Sequence, residues 1–347
     1  MAATKSVQQM SMDGDEPPER YFVKDGRFGA IDTSPPQASI PIINMSLFSS
    51  SSSPSSKEEK EELNKLRSAF CSWGCIQIVG HGIPETFLDK VREIVMQFFE
   101  LPMGEKQKHS QEPDNFEGYG NDLIVSDKQV LDWLDRLRLM VLPEDKQNLS
   151  YWPKDPKNFR EILVEYSMKT KLVMKDLFKA MAKSLNLEEN SFEKKFEARS
   201  ILKARMSFYP ICPKPDQILG LKPHSDSSGI TTILQNKEVQ GLQVFKENQW
   251  FGVTPLPHTI FVNLGDQMQI LSNGMFKSPL HRVVTNTKAT RISIAMFIEP
   301  EPEEDIGPVD GLIEENRPRL YRTVKNYAQF NYESFQKGQI ALEAARI

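Results

Sequence analysis

The chain has 347 residues, a formal net charge of −4, 39% hydrophobic residues and three cysteines. Charges of both signs are interspersed, which argues against a nucleic-acid footprint, and the scattered Cys71, Cys75 and Cys212 offer no disulfide framework, as expected in a reducing compartment. MAATKSVQQMSMDGDEPPERY lacks the apolar core of a signal peptide and no later run reaches membrane-spanning length, so a soluble, cytoplasmic protein is expected.

In chain order, residues 1–38 are polar and punctuated by proline, which predicts an extension ordered only in part. SIPIINMSLF reads as a short strand. SSSSSPSSKEEKEE reads as a loop entering a helix, with Ser56 and Glu59 at capping-box spacing. A second helix is expected from Pro84 to about Leu101. Between Phe159 and Asn186, the residues Ile162, Leu163, Tyr166, Val173, Leu177, Phe178, Met181 and Leu185 form one apolar stripe, the mark of a long helix against a core. From Ala204 onward, short β-branched and aromatic runs recur between Gly, Pro and Asn signals: ARMSFYP, GITTILQ, GLQVFK, QWFGVTP, TIFVNLG, HRVVTN and RISIAMFIEP. Many short strands at close spacing predict an antiparallel sandwich or barrel, so the class is mainly β with flanking α. After Pro318, RLYRTVKNYAQFNYESF returns to helical spacing, with Tyr321, Val324, Tyr327 and Phe335 along one side.

Five histidines are available as ligands. His81 sits in a glycine-flanked turn, His109 in a charged stretch and His258 at a turn before a strand, so structural roles suit them better. His224 and His281 border the β-rich part. Asp226 follows His224 at the spacing that puts two strand side chains on one face. Two imidazoles and a carboxylate on a β scaffold suit the facial triad of non-haem Fe(II). A catalytic zinc site with three protein ligands is the competing reading, and a chance His-x-Asp pair is commoner than either. Arg291 and Ser293, in ATRISIAMF, share a strand face. If that face points inward the guanidinium needs an anion, and its fork matches a carboxylate. The alternative is an outward surface arginine.

These segments together resemble the plant 2-oxoglutarate- and Fe(II)-dependent dioxygenase family over nearly the whole chain. IPIINM, WGCIQIVGHGI and FFELPMGEKQK lie in the first half, and EGYG with LDW is similar to the subgroup of codeine O-demethylase and its senescence-related relatives. FYPICPKP, HSD, GLQV, VNLGDQ, LHRVV and RIS follow in the family's order. The sequence departs from the family where Ser207 replaces a usual asparagine, Gly80 replaces another, and Cys75 and Ile76 replace a common phenylalanine pair.

The resemblance implies a double-stranded β-helix (jelly-roll) core with N-terminal and C-terminal helices. It divides the chain into an extension (1–38), an N-terminal dioxygenase region (39–195), a jelly-roll core (196–302) and a C-terminal helical segment covering the pocket (303–347). It implies that His224, Asp226 and His281 hold Fe(II) and that Tyr209, Arg291 and Ser293 bind 2-oxoglutarate, with O2 as co-substrate and ascorbate as activator. The expected activity is hydroxylation or O-demethylation of a small plant specialised metabolite, releasing succinate and CO2, by a monomer with no nucleic-acid or membrane partner. Alternatives are a 2-oxoglutarate-independent oxidase of the aminocyclopropane carboxylate oxidase type and a non-catalytic cupin-like metal-binding protein.

For the substrate, WLDRLRLMVLP alternates as a strand, with Leu137, Leu139 and Val141 on one face and Arg136, Arg138 and Met140 on the other. If the arginine face lines the pocket, with Arg205 adding charge and Phe208 and Phe297 apolar walls, an anionic substrate is expected. The plainer alternative makes Arg136 and Arg138 solvated partners of surface acids.

Overall fold

Alternation along the strands sets the architecture. A computed structural model of the chain describes residues 5–24, 26, 28–48, 57–112, 115–122, 129–197, 199–336 and 339–347, apart from the side chains of 335 and 336. The strands that build the core are β1 (Ile42–Asn44), β2 (Cys75–Val79), β3 (Gly118–Gly120), β4 (Asp135–Leu142), β5 (Ile201–Tyr209), β6 (Leu219–His224), β7 (Ile230–Gln235), β8 (Leu242–Lys246), β9 (Gln249–Gly252), β10 (Ile260–Leu264), β11 (His281–Val284) and β12 (Arg291–Glu299). Eight make one sheet in the order β1-β2-β10-β7-β12-β5-β4-β3, and β6-β11-β8-β9 make a second, smaller one. The two sheets form a jelly-roll core with helices on the outside.

The two faces of the large sheet do different work. Ile292, Ile294, Met296 and Ile298 of β12, with Met206 and Phe208 of β5, join a core shared with the helices Glu85–Glu100 and Phe159–Ser184. Each such side chain contributes about 1.5–3 kcal/mol by leaving water. The alternate residues face the small sheet, where Tyr209 and Ala295 meet Leu221, Leu242, Val244 and Val283. The helix-side core supplies most of the apolar burial, which leaves the inter-sheet face able to carry polar groups.

The helices follow the sequence. Pro84 precedes a helix over Glu85–Glu100, and every residue of the stripe in Phe159–Ser184, with Leu185 just beyond it, is buried. Ser56, half of the expected capping box, lies outside the described residues; its helix runs Lys57–Ser72. The strands before residue 195 lie at the two edges of the large sheet, β1 and β2 at one and β4 and β3 at the other.

The described part of the extension is packed: Val7 and Met10 of a short helix (Val7–Asp13) are buried beside Trp133 and Ile218, and Phe22 bridges to Ile218. Its order comes from partners distant in sequence, which composition does not reveal. Farther along, the buried Arg282 donates to the Phe28 and Ala30 carbonyls. The helix expected across RLYRTVKNYAQFNYESF needs correction: within that run only the part from Tyr327 is helical, opening the helix Tyr327–Gln336, and a further short helix spans Ala341–Ala344. Val324 instead pairs with Ile306 in a two-residue ladder, and Asn326 adopts φ 45° before the helix starts. Tyr321, Val324 and Tyr327 are buried as expected, by a different backbone; the side chain of Phe335 is outside the described set.

Asp135, on the helix-side face of β4, fastens the extension. Its Oδ1 and Oδ2 accept from the backbone N–H groups of Val7 (3.1 Å) and Gln8 (2.8 Å), and burial pushes the carboxyl up. Lys106 donates to Gln8 and to the Phe99 carbonyl in the same contact. Asp135→Ala should cost about 1–3 kcal/mol in denaturant unfolding and admit trypsin at Arg20 or Lys24. Unchanged stability and protection would show that something other than Asp135 holds the extension.

Candidate active site

The interior face of the small sheet brings the two border histidines together. β6 and β11 are antiparallel and in a register that sets His281 directly opposite His224, with ring centroids 4.2 Å apart. Each imidazole turns Nδ1 to a backbone carbonyl two residues back, His224 to Lys222 at 2.8 Å and His281 to Pro279 at 3.1 Å. Those contacts assign the ring proton to Nδ1 and leave Nε2 with a free lone pair. Burial first, then His281, pushes the His224 imidazole well below its ordinary range, so it is neutral at pH 7.

Asp226 completes the cluster. Its Oδ2 accepts from Thr231 Oγ1 (2.6 Å) and Asn263 Nδ2 (2.8 Å), and Ser228 Oγ lies 3.0 Å from the same Thr231 hydroxyl. Its Oδ1 faces His224 Nε2 at 3.5 Å and His281 Nε2 at 3.8 Å, too long for hydrogen bonds. Burial raises the carboxyl, yet the imidazoles when protonated, Arg205 and the Asn263 hydrogen bond hold it net below the carboxylate range. One ligand atom from each residue lies within 4.8 Å of the others. His224 Nε2 is buried with no hydrogen-bond partner, as suits an atom whose partner is a cation. Three donors converge from one side. That donor set fits Fe(II) and leaves positions open for exchangeable ligands.

The turn carrying Asp226 is fixed from below. Asp266 N–H donates to the Asp226 carbonyl at 2.7 Å, and any side chain at Gly265 would run into the Ser228 carbonyl. Asp266 itself accepts from Tyr327 Oη at 3.2 Å, which ties the C-terminal helix to this turn.

The interior face of the large sheet holds the arginine. Arg291 pairs with Tyr209 across β12 and β5, and Ser293 with Ser207. Arg291 is 2% exposed; Nη2 donates to Gln235 Oε1 at 3.2 Å, while Nε and Nη1 are buried without partners. Burial lowers its pKa, and the Tyr209 ring lies 5.2 Å from the guanidinium carbon. A Cβ at Gly241 would come within 3.0 Å of Arg291 Cδ, so the glycine leaves room for the side chain's stem. Two unpaired N–H directions on a buried guanidinium fit the distal carboxylate of 2-oxoglutarate.

A cavity of about 710 Å3 opens onto His224 and Asp226, walled by Arg138, Met140, Arg205 and Phe297, with Asn331 of the C-terminal helix at its edge. Arg136 is not on this wall: it is buried and its Nη1 lies 3.0 Å from Asp122 Oδ1, so it is neither solvated nor free. Phe208 is not on the wall either. Alternation turns it to the helix side, where it lies 5.1 Å from the Phe99 ring. His81, His109 and His258 are occupied elsewhere: His81 by the Ile83 N–H, His109 against the Ser150 carbonyl and His258 beside Glu85. Thr231, Asn263 and Gln235 were not singled out in the sequence. Their signal is a polar side chain inside an otherwise apolar strand, as in GITTILQ and FVNLG.

Comparison with known proteins agrees with this geometry. Residues 198–300 match the model of the 2OG-Fe(II) oxygenase superfamily, and residues 40–159 that of the non-haem dioxygenase in morphine synthesis N-terminal region. Protein SRG1 of Arabidopsis thaliana is 38% identical over 95% of this chain and 92% of its own length. Codeine O-demethylase of Papaver somniferum is 39% identical over 75% of this chain and 72% of its own. The crystal structure of JOX2 in complex with 2OG, Fe and JA aligns with a TM-score of 0.86 at 31% identity, covering 99% of this chain and 98% of that one. The chain belongs to the 2OG-Fe(II) oxygenase superfamily and is a 2-oxoglutarate- and Fe(II)-dependent dioxygenase of the plant type.

Proposed function

We propose that His224, Asp226 and His281 hold the Fe(II), that Arg291, Ser293 and Tyr209 receive 2-oxoglutarate, and that a small metabolite enters through the cavity to be hydroxylated or O-demethylated. The observation that carries this is the convergence of two imidazole Nε2 atoms and Asp226 Oδ1 while their other polar atoms are engaged elsewhere. When bound, Fe(II) and 2-oxoglutarate supply O2 activation and oxidative decarboxylation to succinate and CO2, chemistry that no side chain here provides.

The chain's own part is orientation. Thr231 and Asn263 fix which Asp226 oxygen faces the ligand site. Arg291 binds the far carboxylate of the co-substrate and so sets which end lies toward the imidazoles. Along β5 and β12 the interior residues run from Lys203 and Glu299, through Arg205 and Phe297, to Tyr209 and Arg291. Arg205 and Tyr209 are thus separated by about 13 Å of strand, room for a substrate at one end and a co-substrate at the other. O-demethylation is supported by the likeness to codeine O-demethylase, and a small organic substrate by the likeness to JOX2.

Among the described residues no helix is long and apolar enough to cross a membrane. The proposal includes a cytoplasmic monomer without nucleic-acid or membrane partners, assayed with ascorbate as reductant; the interspersed charges favour the absence of a nucleic-acid partner. Succinate release separates this reading from an oxidase that spares 2-oxoglutarate and from a binding protein without turnover.

Asp226→Ala should lose bound iron and 2-oxoglutarate-dependent succinate release while keeping its circular dichroism spectrum. Wild-type iron content and turnover in that variant would falsify the ligand assignment. Asn263→Ala should weaken metal affinity about 10- to 100-fold in equilibrium dialysis; unaltered affinity would reduce Asn263 to a packing residue. Arg291→Lys keeps the charge and loses the fork, so the KM for 2-oxoglutarate should rise by the equivalent of about 1.5–3 kcal/mol. An unchanged KM would assign Arg291 to structure alone.

A further inference from the structure

Besides the exposed Lys146, the cavity wall carries two guanidinium groups that no described residue answers with an ion pair. Their neighbours are matched. Lys203 Nζ lies 2.7 Å from Glu299 Oε2, and Arg136 pairs with Asp122. Lys222 lies 2.8 Å from Asp122 and 2.7 Å from Asp132. Among the described residues, no carboxylate forms an ion pair with Arg138 or Arg205. Of the other acids on the wall, Glu299 pairs with Lys203 and Asp226 belongs to the imidazole cluster, while Glu117, whose carboxyl burial pushes up, forms no ion pair with either arginine.

Arg138 and Arg205 are direct cross-strand partners on β4 and β5. That register puts Cβ atoms about 4.5–5.5 Å apart, where like charges repel. Arg205 Nε is buried without a hydrogen-bond partner, and its guanidinium lies 5.1 Å from the Phe297 ring. Arg138 lies 5.9 Å from the Phe116 ring. Burial first, then Arg136 and Arg205, pushes the Arg138 guanidinium well below its ordinary range. Both guanidinium groups are half-buried, and ring faces offset only part of the cost of holding two like charges side by side there. Arg205 lines the same cavity as His224 and Asp226, so whatever it holds lies beside the reaction centre.

We propose that Arg138 and Arg205 form a two-guanidinium fork for the anionic group of the substrate, which is a small carboxylate with a planar apolar body. The body rests on Phe297, Met140 and Phe116, which supply the apolar part of the wall. The proposal rests on reading His224, Asp226 and His281 as the reaction centre, and the test below separates the two.

The full chain is saturated with Fe(II) and 2-oxoglutarate under argon, so that Arg291 is already occupied. Benzoate, phenylacetate and cinnamate are then titrated by calorimetry, each against its neutral amide at equal ionic strength. At least one acid should bind about tenfold or more tightly than its amide, the scale of one charge-assisted hydrogen bond. R138M and R205M should each remove that preference and leave 2-oxoglutarate affinity unchanged. R138M should also unfold at no lower a temperature than wild type without substrate, because methionine keeps the stem and removes an unpaired charge. Equal binding of acids and amides across all three pairs overturns the proposal, as does a preference that survives in both variants. If Fe(II) and 2-oxoglutarate fail to bind while the acid preference persists, the reaction-centre reading fails and the fork stands.

Discussion

A buried guanidinium that no anion among the described residues answers is the constraint on which the rest of this structure depends. Arg291 sits between two sheets with two of its N–H directions unpaired, and a protein interior tolerates that only where a ligand completes it. Strand alternation makes the arrangement possible. One set of side chains on β5 and β12 binds the sheet to its helices, which frees the alternate set to be polar. Stability and chemistry therefore occupy opposite faces of the same strands.

The same division recurs at atomic scale in the imidazole cluster. His224, His281 and Asp226 each have one polar atom held by the protein and one directed to a shared point. Fixing the first atom decides the orientation of the second before any ion arrives, which lowers the reorganisation needed on binding. The contact from Tyr327 to Asp266, and from Asp266 N–H to the Asp226 carbonyl, extends that support to the C-terminal helix that also borders the cavity.

What was legible in the sequence was whatever depends on period. The apolar stripe of the Phe159–Ser184 helix, the strand runs after Ala204 and the shared face of Arg291 and Ser293 all follow from spacing within one element. The pairing of His224 with His281 was not derivable in that way, since it depends on register between β6 and β11; setting aside the other three histidines and the ordered family motifs pointed to it. Phe208 could have been excluded by parity alone, because Arg205, Ser207 and Tyr209 share the opposite face. Arg136 could not, since its partner Asp122 reaches it from a separate segment. The packing of Val7 and Met10 and the strand pairing of Val324 lie outside composition and local spacing for the same reason: both rest on contacts distant in sequence.

The central claim is that the interior charges are completed by ligands rather than by the protein. Calorimetric titration of 2-oxoglutarate into the wild-type chain, with and without Fe(II) under argon, tests it most directly. One saturable site per chain, bound more tightly once the metal is present, is the expected result. Absence of saturable binding with the metal present would contradict the account, because Arg291 would then be a buried cation with no counterpart at all.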